Sequence, residues 1–211
     1  MNAGLNITAV VLAGGRARRM GGQDKGLIEL NHRPLIEYAV GALQGQVNAI
    51  LVNANRNLER YAALGYPVIA DQYGEFSGPL AGIASALAEI ETRYLVTVPC
   101  DCPSLPKDLV IRLLSAHAQA DAELAVAHDG TRMQPVFALL ERTLLGSLEE
   151  FIESGGHKVD RWYTRHRVAL ADFSDQPDAF INVNTPEDLA RIAQLLGVTA
   201  PRGPLPRGHR R

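Results

Sequence analysis

Residues 10–27 read VVLAGGRARRMGGQDKGL. Two valines and a leucine run into Gly14 and Gly15; Arg16, Arg18 and Arg19 follow, then Gly21, Gly22, Asp24 and Lys25. The apolar run begins at Ile7. A short, continuous apolar segment that ends in glycine reads as a strand buried on both faces, the kind found in parallel sheets. The glycines then sit at the strand's carboxyl end, where backbone N–H groups can approach a ligand closely. Arginines match phosphate oxygens with a planar fork, and a lysine adds a point charge. The stretch is not a Walker A loop, because Asp24 rather than glycine precedes Lys25, and it is not G-x-G-x-x-G. Its composition alone also fits a solvated surface loop.

The neighbouring segments decide between those readings. Residues 34–43 have apolar side chains at helical spacing, with Pro34 suited to a first helical turn. Residues 49–52 (AILV) read as a strand, 57–64 as a short helix and 67–70 (PVIA) as a strand. Residues 80–90 form a helix opened by Gly78-Pro79, 94–98 (YLVTV) a strand, and 106–118 a proline-started helix. This βαβαβαβα order over roughly the first 120 residues predicts a doubly wound, mostly parallel α/β sheet with helices on both faces. The rhythm then changes. AELAVAHDGTRMQPVFALL reads as two strands about Asp129-Gly130, so an antiparallel element enters the C-terminal half. A helix is expected at 143–154 and a last strand at 180–183. Thr185-Pro186-Glu187-Asp188 then starts a final helix with an N-cap, a proline at N1 and an acidic N3.

Composition bounds the function. The chain has 211 residues, 21 % charged and 46 % hydrophobic, with a net charge of −2. That balance suits one globular domain and argues against a nucleic-acid binder or a polybasic membrane binder. We expect one domain over residues 1–198. Residues 199–211, rich in Pro, Gly and Arg, are expected to be a disordered tail. No run of eighteen apolar residues and no secretory n-region occur, so a cytoplasmic protein is expected. Cys100 and Cys102 form a C-x-C, which is neither a redox C-x-x-C nor a zinc site, and read as buried packing residues. No partner pattern attaches to His128, His157 or His166.

In a parallel α/β sheet all strand carboxyl ends share one edge, and ligands bind there. Asn53 follows AILV, Asp71 follows PVIA, and Asp101 follows YLVTV. These three and the Gly-Arg loop should therefore converge. Each alone is also a common turn former at a strand end.

Six stretches together make the chain recognisable: LAGGRARRMGGQDKGL, VNAN at 52–55, the Asp71 segment, GPLAGI at 78–83, PCDCPSLP at 99–106 and INVNTPEDL at 181–189. They resemble the molybdenum cofactor guanylyltransferase family, over about residues 7–195. The resemblance implies a Rossmann-like nucleotidyltransferase fold. It implies transfer of GMP from GTP to the terminal phosphate of molybdenum-molybdopterin, which yields the guanine dinucleotide cofactor and pyrophosphate. Carried over by position, Leu12, Ala13, Gly14, Gly15, Lys25, Asn53, Asp71 and Asp101 would bind GTP, and Asp101 would also hold Mg²⁺. Arg19, Gly22, Gly78, Asn182 and Asn184 would lie toward the pterin. Cofactor-delivering and acceptor proteins are the further partners implied. Gly156-His157-Lys158 departs from the family, which often carries adjacent arginines there, so no pterin contact is assigned to it.

The residue types suit this chemistry. The nucleophile would be a phosphate oxygen, anionic at pH 7, so no Ser-His-Asp constellation is needed. The obstacle is repulsion between anions, which calls for cations and in-line positioning. Asp101, Lys25 and Arg19 are the candidate catalytic residues. Asn53 and Asp71 are candidates for reading base and ribose. Two alternatives stay open: a related nucleotidyltransferase that uses CTP (a molybdopterin cytidylyltransferase) or a sugar-phosphate acceptor, and a non-catalytic nucleotide-binding protein.

Overall fold

The computed structural model describes residues 6–15, 24–73 and 78–198. Arg19 and Gly22 of the opening loop, and the tail at 199–211, lie outside the described residues. Among those described, seven strands form one sheet: β1 (Ile7–Leu12), β4 (Ala49–Asn53), β5 (Val68–Ile69), β6 (Tyr94–Pro99), β7 (Leu124–His128), β8 (Met133–Glu141) and β9 (Val168–Asp172). Their order is β5-β4-β1-β6-β8-β7-β9. The pairs β5/β4, β4/β1, β1/β6 and β7/β9 are parallel, and β8 alone runs against its neighbours β6 and β7. The doubly wound, mostly parallel sheet expected from the sequence is present, with the antiparallel element where Asp129-Gly130 put it. A two-residue ladder, β2 (Glu29–Leu30) and β3 (Arg33–Pro34), lies outside this sheet.

Side-chain alternation along β1 divides the core. Ile7, Ala9 and Val11 face one cluster, with α1 (Leu35–Leu43) and α4 (Leu109–Gln119). Val10 faces the other, with α3 (Pro79–Glu89), α5 (Leu145–Glu153) and α6 (Val159–Tyr163). Both faces of the strand are therefore covered, which is why its sequence is apolar but for Thr8, whose hydroxyl accepts from Thr92 Oγ1 at 2.9 Å. A third, smaller cluster joins Ile28, Leu30 and Leu35 to Val183 and to Leu189, Ile192 and Ala193 of α7 (Pro186–Leu195). This cluster matters for the site, because it carries the segment before α7 back to the loop after β1. The start of α7 is a complete capping box: Thr185 accepts from Asp188 N while the Asp188 carboxylate accepts from Thr185 N. Such a cap is worth about 1 kcal/mol.

Several expectations need correction. Residues 180–183 form no strand. Phe180 is buried by packing edge-on against Phe137 and Phe173, not by pairing. The last strand is instead β9, and α6 precedes it; neither was anticipated. Pro34 lies just outside α1, in the β3 ladder, with extended backbone angles of −55° and 141°. Asn53 is the final residue of β4 rather than the one after it. The helix expected at 57–64 is shorter, α2 (Leu58–Ala62), and α4 starts at Leu109 rather than at 106. Among the described residues, no helix is long and apolar enough to cross a membrane.

Candidate active site

The carboxyl ends of β1, β4, β5 and β6 bring two groups of polar side chains together. In the first, Asp71 stands two residues beyond β5 and accepts from both flanking amides. Asn53 Nδ2 donates to Oδ1 at 2.8 Å and Asn55 Nδ2 to Oδ2 at 2.7 Å. Asn55 Oδ1 accepts the Asp71 backbone N–H in return, at 2.8 Å. Gly14 faces this network: a β-carbon there would sit 3.0 Å from Asn55 Nδ2 and 3.4 Å from Asn53 Oδ1. From α3, Gly82 comes so near that a β-carbon would fall 2.3 Å from Asn53 Oδ1 and 2.9 Å from Leu12 Cδ2. The network thus fills its space. Leu12 pairs with Asn53 across β1/β4, and Ala13 N donates to Asn53 O at 2.7 Å. Gly15 O accepts from Arg56 Nη2 at 3.3 Å.

The second group carries formal charge. Lys25 opens a single 3-10 turn at Lys25–Leu27. Its ammonium lies between two acceptors, Asp101 Oδ2 at 2.8 Å and Asn184 Oδ1 at 2.6 Å. Asp101 stands two residues beyond β6 and is 8 % exposed. Its carbonyl oxygen accepts from Val183 N at 2.8 Å, which fixes the strand-end corner to the segment before α7. Cys100 and Cys102 flank it, free and buried. Burial pushes both thiols up, Cys102 to about 12, and the Asp101 carboxylate beside them adds to the shift. They are protonated packing groups, as their spacing suggested.

Of the residues expected at the site, Lys25, Asp101 and Asn184 meet directly, and so do Gly14, Asn53 and Asp71. Asn184, expected toward the acceptor, rests on the Lys25 ammonium. Asn182 is its neighbour, and Asn182 O accepts from Asn184 Nδ2 at 3.3 Å. Asn182 Oδ1 is buried with no hydrogen-bond partner among the described residues. Gly78 takes a positive φ of 58° directly before Pro79 at the start of α3. The sequence reading missed Asn55, although its place two residues after Asn53 put it on the same side of an extended chain. It also missed Gly82, whose close approach to Asn53 joins separate elements and leaves no local signal.

A cation such as Mg²⁺ takes one or two carboxylates together with substrate phosphates and water. Asp101 fits that demand. Only Oδ2 is engaged, by Lys25, and Oδ1 accepts no hydrogen bond among the described residues. No cluster of three or more acidic, His or Cys side chains suited to hold a metal by themselves occurs among the described residues.

A glycine turn, a lysine and a strand-end carboxylate on a doubly wound sheet suit the nucleotidyltransferase class, and solved structures of that class share the fold. One is the molybdopterin-guanine dinucleotide biosynthesis protein A of Archaeoglobus fulgidus, with a TM-score of 0.73 at 22 % identity, over 90 % of this chain and 98 % of that one. Another is a nucleotidyl transferase of Methanothermobacter thermautotrophicus, with a TM-score of 0.70 at 19 % identity, over 90 % and 96 %. The family model described as the MobA-like NTP transferase domain matches residues 9–171, and the chain belongs to that family. A molybdenum cofactor guanylyltransferase of Shewanella loihica is 52 % identical over 190 residues, 90 % of this chain and 97 % of that protein. A protein of the same name from another Shewanella is 55 % identical over 189 residues, covering 90 % and 96 %.

Proposed function

We propose that the chain transfers GMP from GTP to the phosphate of molybdenum-molybdopterin, forming the guanine dinucleotide cofactor and releasing pyrophosphate. The observation that carries this reading is the Lys25 ammonium held between Asp101 and Asn184 at the sheet's carboxyl edge. The names of the relatives that match nine-tenths of the chain support the choice of guanine and of the pterin acceptor.

In this mechanism a phosphate oxygen of the acceptor forms a bond to the α-phosphorus of GTP, and the bond from that phosphorus to the pyrophosphate oxygen breaks. Backbone N–H groups of Gly14 and Gly15, just beyond the paired end of β1, would line the path of the triphosphate. Lys25 compensates charge on the triphosphate and on the leaving pyrophosphate, and Asp101 and Asn184 hold that ammonium in place before substrate arrives. Mg²⁺ bound through Asp101 and the phosphates would supply further positive charge for the leaving oxygens. Asn53 and Asp71, braced by Asn55, present amide and carboxylate groups of fixed orientation to the nucleoside, and guanine N1–H and N2–H₂ are donors that such acceptors suit. Arg19, Gly22, Gly78, Asn182 and Asn184 are the candidates on the acceptor side. The reaction belongs in the cytoplasm, with cofactor-delivering and acceptor proteins as further partners.

The deciding experiment incubates the full chain with Mg²⁺, molybdenum-molybdopterin and either GTP or CTP. Pyrophosphate is quantified and the pterin product weighed by mass spectrometry. A product heavier by a GMP residue, formed from GTP at a rate at least tenfold above that from CTP, is expected. A preference for CTP, or no pyrophosphate from either, would overturn the proposal.

A further inference from the structure

Asp24 immediately precedes Lys25, and its carboxylate is buried. A buried carboxylate is costly unless its lone pairs are met by donors. Three donors from one short stretch, residues 56–61, converge on it. The Tyr61 hydroxyl donates to Oδ1 at 2.5 Å, Asn57 Nδ2 donates to Oδ2 at 2.9 Å, and Arg56 Nε lies 3.4 Å from Oδ2. Asn57 holds the left-handed backbone at φ 52°, a region that asparagine tolerates better than most residues. Burial first, then Cys100 and the Asp24 carboxylate, keep the Tyr61 phenol protonated far above ordinary pH, so the donor is permanent. On the other side of Lys25, Gly26 is pressed against the same hydroxyl, where a β-carbon would come within 2.6 Å of it and 3.3 Å from Cys100 Cβ. The residues on both sides of Lys25 are thus fixed by one phenol.

None of these contacts involves the reacting groups. They set where the Lys25 backbone stands, and so from which point its long, flexible side chain reaches toward Asp101 and Asn184. A lysine is a point charge on four rotatable bonds, and its usefulness to a triphosphate depends on that origin. We propose that Tyr61 is a positioning residue for the transfer reaction. Through Asp24, with Asn57 and Arg56 as co-donors, it fixes the peptide from which Lys25 projects. The inference rests on the reading that Lys25 serves the triphosphate.

The test is a double-mutant cycle on the full chain, read as GTP turnover and, separately, as equilibrium GTP binding. Tyr61→Phe removes only the hydroxyl and keeps the ring that fills the core. It should lower kcat about tenfold, the loss expected when a hydrogen bond to a charged group goes, with the KM for the pterin acceptor unchanged. In a Lys25→Ala background the same change should cost less than twofold, because its effect passes through Lys25. Asp24→Asn, which keeps the shape, should show the same dependence. Multiplicative losses in both cycles would overturn the inference and assign Tyr61 to fold stability alone. If the wild-type chain binds GTP but transfers nothing to the pterin, the proposed function fails, and the coupling in GTP affinity still decides the role of Tyr61. If it binds no GTP, both fall.

Discussion

The two polar groups at the sheet's carboxyl edge are built in opposite ways. Around Asp71, two amides and a carboxylate close on one another, and Gly82 presses on the network from α3. Around Lys25, an ammonium is held by one carboxylate and one amide from distant parts of the chain, and Asp101 Oδ1 is left without a hydrogen bond among the described residues. A closed network has little to give to a changing charge, but it keeps its shape. An open ionic pair is the reverse: it can exchange partners as phosphates arrive and leave. Under the proposed function, the difference suits the Asp71 group to selecting a nucleoside and the Lys25 group to carrying charge during transfer. Residues 53–57 join them, since Arg56 reaches both Gly15 O and the Asp24 carboxylate.

The largest effect that can break this contrast is expected at Asp101. Asp101→Asn keeps the shape and removes the charge, so turnover should fall on the order of 10²-fold, the scale of losing one electrostatic stabiliser. A Mg²⁺ titration of turnover checks it, with circular dichroism to confirm the fold. A wild-type rate and Mg²⁺ requirement in that variant would move the charge-handling role elsewhere. Asp71→Asn should be milder and different in kind. It sets a third amide against the two that Asp71 now satisfies, so the network must turn. GTP KM should rise about tenfold and the preference over CTP should shrink, while the Mg²⁺ requirement stays as it was. A changed metal requirement in Asp71→Asn would erase the distinction between the groups.

The smallest effect is expected at the β7–β8 turn, two strands along the same sheet edge from β6, and it separates stability from function. The turn between β7 and β8 is organised by Asp129, whose Oδ1 accepts from Thr131 N, Thr131 Oγ1 and Arg132 N, and whose Oδ2 accepts from Gln134 Nε2. Burial works to raise this carboxyl, but the hydrogen bonds outweigh it and hold it well below the ordinary 3.8. A folded value below the unfolded one means that the unfolded chain takes up the proton first as pH falls. The stabilisation is therefore complete above about pH 5 and drains away as acid passes below about pH 4. Urea midpoints measured from pH 7 down to pH 3 should fall, and Asp129→Asn should flatten that slope at a cost of about 1 kcal/mol at neutral pH. GTP turnover at pH 7 should not change.

How much of this was legible follows from where each signal resides. The central strands β4, β1 and β6 were readable because burial on both faces leaves a mostly apolar run, the half-buried edge strand β5 because Val68 and Ile69 favour extended chain, and their shared edge follows from topology alone. Asp71, Asp101 and Asn53 came with them. β9 was missed because VALAD leaves Leu170 exposed and places alanines inward, so neither its composition nor its length marks it as core. Residues 180–183 misled for the converse reason. Phe180, Ile181 and Val183 are apolar because they pack against aromatic and helical neighbours, and packing partners leave no trace in local periodicity. Asn184 was noticed but not joined to Lys25, and Tyr61 was not joined to Asp24. Those contacts span 159 and 37 residues of chain, and no spacing rule reaches that far.

The contacts of Lys25 also bear on the order in which the protein can become competent. Its ammonium needs Asp101, 76 residues on, and Asn184, 159 residues on. Val183 must in addition dock on the Asp101 carbonyl, and α7 must close over Ile28 and Leu30. A chain emerging from the ribosome can lay down β1, β4, β5 and β6, and with them the Asp71 network, well before that. It can close the Asp71 network early, yet it cannot brace the lysine until the segment leading into α7 has been made. The charge-bearing half of the site is thus closed only once synthesis has passed Asn184.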